Sequence, residues 1–233
     1  MASNLQKPNE QFVCSYCGKE YTRARAFEVH MCTKKQRALQ RDEKRVRYGF
    51  YAYNRFNRLS CGQKKEASYE EFCNSQYYNA FVKFGSYISN VKPLYPDRYI
   101  DYVVTSGIRL KNWCDDHIYE KYVIDLVKKE PVEVGLERSI NTMIEWSTDN
   151  NSVWNHYFDY VSSDKALWDI KDGKISPWLV LNTYKGKVML SNFDNTQLDI
   201  VYSIINPDFW SKKFKSNPND VETVLLLAKE FNL

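Results

Sequence analysis

Cys14 and Cys17 enclose two residues, twelve residues separate Cys17 from His30, and Cys32 follows His30 by two. No other feature constrains the start of the chain so tightly. A two-cysteine knuckle followed at this distance by a histidine can converge on one tetrahedral Zn²⁺. A segment so short buries too little apolar surface to fold alone, so the metal must supply most of its folding energy.

The six cysteines divide accordingly. Cys14, Cys17 and Cys32 sit in the metal pattern, while Cys61, Cys73 and Cys114 are scattered. The polar opening residues carry no apolar core of a signal peptide, and no apolar run approaches the roughly 18 residues of a membrane span. Reduced thiols in an intracellular, cytoplasmic protein are therefore expected, rather than a disulfide framework. A hydrophobic fraction of 43% is enough for a real core. Abundant Tyr, Phe, Lys and Asn with only 8 Gly and 7 Pro fits an AT-rich genome such as a phage carries.

Residues 12–32 resemble the C2H2 zinc-finger family. Phe12, Cys14, Cys17, Tyr21, Phe27 and His30 each occupy the position that the family's pattern gives to an aromatic, a ligand or a hydrophobic residue. The resemblance implies a ββα unit with Phe12, Tyr21 and Phe27 as its small core and Gly18 closing the knuckle. The departure is the fourth ligand, expected three to five residues after His30. Cys32 comes two residues later, about 200° round a helix. Both bind one ion only where the helix ends or tightens between them. In this family base edges are read from three helix positions, which fall here on Arg23, Ala26 and Val29. Only Arg23 offers a hydrogen bond, so sequence-specific duplex readout is not expected.

Charge points the same way. Residues 1–60 hold 13 Lys/Arg against 5 Asp/Glu, a net of +8 in a chain whose total is +4. A cationic front on an acidic remainder suits an anionic partner, nucleic acid above all. The candidate phosphate contacts are Arg23, Arg25, Lys34, Lys35, Arg37, Arg41, Lys44 and Arg45, with Arg47 close behind. Interleaved Tyr48, Phe50, Tyr51, Tyr53, Arg55, Phe56 and Arg58 suit either a docking face or a platform for single-stranded bases.

The expected organisation is a disordered tail over 1–11, the finger over 12–32, a continuous basic linking helix over 33–59 and an all-α body over 60–233. Ser68 with Glu71 reads as a capping box, as does Asp194 with Gln197. Ser176 before Pro177 reads as a helix start. Helices are expected over 97–106, 109–129, 132–147 and 152–162, with further ones from Ser176, from Asp194 to Pro207, and from Asn219 or Asp220. Strand-type alternation is scarce outside 12–21, so the fold class is mainly α, a small ββα finger followed by a globule of roughly eight helices.

Two other clusters carry titratable groups. Asp116, His117 and Glu120 share a helix face beside Cys114, which suits a solvated surface more than a metal enzyme. His156, among aromatics, reads as a core or edge residue. No phosphate-binding loop, dinucleotide fingerprint or hydrolase motif occurs. The expectation is a non-enzymatic, nucleic-acid-associated accessory protein with a protein partner for its helical body, with no membrane and no small-molecule substrate. In size, basic front and helical body it also resembles the replication accessory proteins of large tailed phages, without an aligned motif. The alternatives are an adaptor whose finger docks on protein and, lower, a metal-dependent nuclease.

Overall fold

Helices dominate because apolar residues recur at three- and four-residue spacing almost throughout, and only residues around the first cysteine pair alternate. The computed structural model describes residues 11–233; residues 1–10, most of the expected tail, lie outside the described residues. Two compact units follow one another, Met1–Cys114 and Asp115–Leu233.

The first unit begins with strands β1 (Phe12–Val13) and β2 (Glu20–Tyr21), antiparallel with Phe12 opposite Tyr21. Then come α1 (Ala24–Glu28), α2 (Thr33–Leu39), α3 (Lys44–Ser60), α4 (Tyr69–Asn74), α5 (Tyr78–Val91), α6 (Pro96–Thr105) and a 3-10 turn at Leu110–Asn112. The continuous helix expected over 33–59 is two helices. No Gly or Pro marks the break at residues 40–43; tertiary bonds impose it. The Arg37 guanidinium donates to the Cys73 carbonyl and lies 4.2 Å over the Tyr78 ring, while the Tyr69 hydroxyl donates to the Arg37 carbonyl. These contacts hold α2 against α4, and α3 lies along α5 instead.

The α3–α5 contact is the tightest in this unit. Gly49 and Gly85 are both buried at the crossing. A Cβ on Gly85 would stand 1.9 Å from the Arg45 carbonyl oxygen, and one on Gly49 would stand 2.7 Å from that of Phe81. Only backbone without a side chain fits there. We expect Gly85→Ala to force the helices apart and lower the stability of this unit by about 3 kcal/mol, the upper end of overpacking costs, as a shift of the urea midpoint read through exchange protection of α3 and α5. Around the crossing pack Val46, Ala52, Phe72, Phe81, Phe84, Ile88, Tyr99, Ile100 and Trp113, all buried. Trp113 stacks edge-on to Phe84 at 5.0 Å, and Arg55 closes α3 onto α6 with two 2.6 Å bonds to Asp101. Residues 44–114 therefore share one core, and the unit ends after Cys114 rather than at residue 60.

The second unit contains α7 (Asp116–Lys129), α8 (Val132–Asp149), a 3-10 turn at Trp154–His156, α9 (Tyr157–Tyr160), α10 (Ser163–Lys171), α11 (Pro177–Asn182), α12 (Tyr184–Ser191), α13 (Asn195–Ile205), α14 (Pro207–Ser216) and α15 (Pro218–Phe231). The helix expected over 109–129 is a 3-10 turn followed by α7, and that over 152–162 is a 3-10 turn followed by α9. The capping signals at Ser68 and Asp194 both form complete boxes. Ser176 caps α11, with Pro177 in its first turn. Val127, Met143, Tyr157, Ile170, Trp178, Val201, Trp210 and Val224 are buried at the centre of the second unit. Within it lies a buried ion pair. The two terminal guanidinium nitrogens of Arg138 donate to the two Glu130 carboxylate oxygens at 2.5 Å, and its Nε donates to the Gly173 carbonyl at 2.6 Å. Among the described residues no helix is long and apolar enough to cross a membrane.

Candidate metal centre and basic groove

Residues 11–32 have a single buried side chain, Cys14 at 3% exposure. Phe12 stacks on Phe27 at 5.8 Å, and Tyr21 lies 6.1 Å from Phe27 and 5.0 Å from the His30 ring, but all three aromatics remain half-exposed. So little apolar burial cannot hold a segment of this length. The polar side of the segment supplies what is missing. One ligand atom each from Cys14, Cys17, His30 and Cys32 lies within 4.8 Å of every other. The Cys17 sulfur is 3.3 Å from His30 Nε2, close to the roughly 3.5 Å between two ligands of one tetrahedral ion with ordinary Zn–S and Zn–N bonds. The four residues can hold a metal ion and are compatible with zinc.

Local structure explains how each donor arrives. The Gly18 amide donates to the Cys14 carbonyl at 2.8 Å, and the Cys14 amide to that of Lys19 at 2.9 Å. Gly18 takes φ +72°, open to glycine without strain. This knuckle brings the first two sulfurs together. The problem of Cys32 is solved by helix termination. α1 ends at Glu28, before His30, so the 200° separation of a continuous helix never arises. Cys32 is extended and is the N-cap of α2, where its sulfur accepts from the Lys35 amide at 3.4 Å. The Lys35 ammonium in turn donates to the His30 carbonyl at 3.2 Å.

The thiols affect one another. Burial pushes the Cys14 thiol up, but amides of Cys17 and Tyr16 and the neighbouring thiols outweigh it, and it sits below the ordinary value. The Lys19 amide draws Cys17 down, yet desolvation and the adjacent Cys14 and Cys32 groups leave it raised. Thiols this close cannot all ionise unaided; a divalent cation removes the conflict.

The sequence-expected cations separate into groups. Arg23, Arg25 and Lys34 are exposed around the metal centre. Arg37 is turned inward onto Cys73 and Tyr78, Lys35 onto His30, and Arg45 pairs with Glu43 at 2.6 Å. Arg41 and Lys44 line a groove of about 1040 Å³ with Arg47, Tyr48, Tyr51 and Tyr69. Arg47, the last of the basic residues expected from the sequence, thus shares this groove with Arg41 and Lys44. Of the three positions from which the finger family reads bases, Val29 lies beyond the end of α1. Asp116 and His117 stand exposed at the start of α7, and Glu120 pairs with Lys171 at 3.2 Å. These three form no metal-ligand cluster among the described residues. His156 is half-buried, edge-on to Tyr160 at 5.7 Å.

No protein-family model matches this chain, and no curated protein or solved structure matches it.

Proposed function

We propose that this is a non-enzymatic, nucleic-acid-associated protein whose first unit is a Zn²⁺-organised, phosphate-binding module and whose second unit engages a protein partner. Three thiolates and one imidazole are a closed, four-donor set of the kind that holds zinc in structural sites. Cys14, Cys17, His30 and Cys32 would hold the ion, which supplies folding energy to a ββα finger. The observation that carries the nucleic-acid reading is the division of charge between the units. The first holds 20 Lys/Arg against 10 Asp/Glu, a net of +10; the second holds 13 against 19, a net of −6. Exposed Arg23, Arg25, Lys34, Arg41, Lys44 and Arg47 form no ion pair among the described residues, so their charge is available to phosphates. Of the three base-reading positions only Arg23 can hydrogen-bond, which favours backbone contact over base readout.

The test is salt-dependent binding of the zinc-loaded full chain to nucleic acid. Affinity is expected to fall steeply with added salt, and the triple variant Arg23→Glu, Arg25→Glu, Lys34→Glu to flatten the log–log slope by about 2.7, roughly 0.9 for each lost duplex contact. Unchanged slope in that variant overturns the finger's role. The protein-docking alternative draws on Val29 and Met31, which flank His30 and are 75% and 57% exposed, and on Leu39 at the end of α2, 64% exposed. It expects a protein partner retained by the charge-reversed variant and lost on Val29→Ser with Met31→Ser.

A further inference from the structure

We propose that the outward face of α3 is a binding groove for single-stranded nucleic acid, in which arginine and lysine hold phosphates and tyrosine rings stack on bases. This rests on the nucleic-acid reading above and narrows it to the class of strand.

The placement follows from the helix period. Val46, Gly49, Ala52, Tyr53 and Phe56 turn one side of α3 into the core against α5. Lys44, Arg47, Tyr48, Tyr51 and Arg58 recur at three- and four-residue steps or their sums, so they form one stripe on the opposite side. Lys44 to Arg58 covers about 21 Å at 1.5 Å per residue. The stripe is one wall of the 1040 Å³ groove, and Arg41 and Tyr69 line it from outside α3. Arg41 lies 5.4 Å over the Tyr69 ring and Lys44 lies 5.9 Å over that of Tyr48, so cations and aromatic faces are interleaved. Tyr51, 38% exposed, is the most accessible aromatic in the stripe.

Three carboxylates, Asp42, Glu66 and Asp97, share the lining against five cations. Arg55, one of the five, is fixed on Asp101, which leaves Arg41, Lys44, Arg47 and Arg58 without an ion-pair partner among the described residues. The charge excess selects an anion, and the rings select its form. In a duplex the base faces are already stacked inside the helix, whereas an unpaired strand presents them to a tyrosine. Backbone rigidity adds to this: the Gly49–Gly85 crossing fixes α3, so the stripe is preformed and binding orders little.

The experiment compares a short labelled oligothymidine with the duplex made by annealing its complement, using the zinc-loaded full chain at low salt. The single strand is expected to bind more tightly. Tyr51→Ala is expected to weaken it about 10-fold, within the range for loss of one stacked base, while Tyr51→Phe, which keeps the ring, restores it. Arg47→Gln is expected to lower the salt slope by about 0.7, one single-strand phosphate contact. Equal binding of both forms, unaffected by Tyr51→Ala, overturns the groove and leaves the phosphate-binding module standing. Binding of neither form overturns both and assigns the groove to a protein.

Discussion

Removal of the metal, by strong chelator or by Cys14→Ser, is expected to unfold residues 12–32 and leave the second unit folded. The reason is the scarcity of any other support there. The aromatic trio is half-exposed, each strand is two residues long, and α1 has no buried residue. Apparent zinc-binding energies in comparable small modules are about 10–16 kcal/mol, and in a site that does not preform this energy is folding energy. Loss of one of four ligands should therefore remove more stability than the segment possesses. Hydrogen exchange checks this: protection at Cys14, Gly18 and Phe27 amides is expected to vanish on chelation and return with added Zn²⁺. The first turn of α2 is expected to fray as well, because the Cys32 sulfur is its cap. Stoichiometric metal in protein purified without added zinc is the companion measurement. Unchanged protection in chelator would mean that the four donors are held together by something other than an ion.

The second large effect is expected from the Glu130–Arg138 pair. Glu130 is 5% exposed and Arg138 9%, and neither has water to fall back on. Arg138→Met leaves a buried carboxylate with no counter-charge, and removal of one partner from such a pair costs about 3–5 kcal/mol. Glu130→Gln is expected to cost less, since the amide still accepts from one guanidinium nitrogen. The double variant Glu130→Met, Arg138→Met should recover most of the loss, because two buried charges are then desolvated no longer. The Arg138 bond to the Gly173 carbonyl is absent in every Met variant, so recovery is expected to stop short of complete. Urea midpoints followed through exchange protection of α8 and α11 distinguish these outcomes. Equal destabilisation by the single and double variants would place the energy in packing of the arginine stem rather than in charge.

What the sequence made legible was local. Capping boxes at Ser68 and Asp194, the Ser176–Pro177 start and the metal knuckle all depend on residues within a few positions of one another, where side chain and backbone chemistry act directly. The all-helical character followed from periodicity in the same way. Features built from distant pairs were hidden. The break at residues 40–43 carries no local signal, since it is imposed by Arg37 reaching Cys73 and Tyr69 reaching back. The unit boundary after Cys114 was hidden because helix follows helix across it without a glycine- or proline-rich linker. The need for glycine at positions 49 and 85 was hidden as well, since it arises only where α3 and α5 cross. At the candidate site, Cys14, Cys17 and His30 were legible from spacing, while Cys32 departed from the expected spacing and joins them only because α1 ends before His30. Of the cations, charge could be counted but direction could not. Arg37 and Arg47 look equivalent in the sequence, yet the first faces inward and the second lines the groove.

Cys32 ends the metal-centred segment and begins α2 with a single atom serving both. No spacer separates the two, so the small module has no swivel. A partner held by that module would be held at an angle the rest of the unit dictates. Such a joint would trade reach for aim: it would not sweep along a partner in search of a foothold, but would pass the partner's position to α2 without slack.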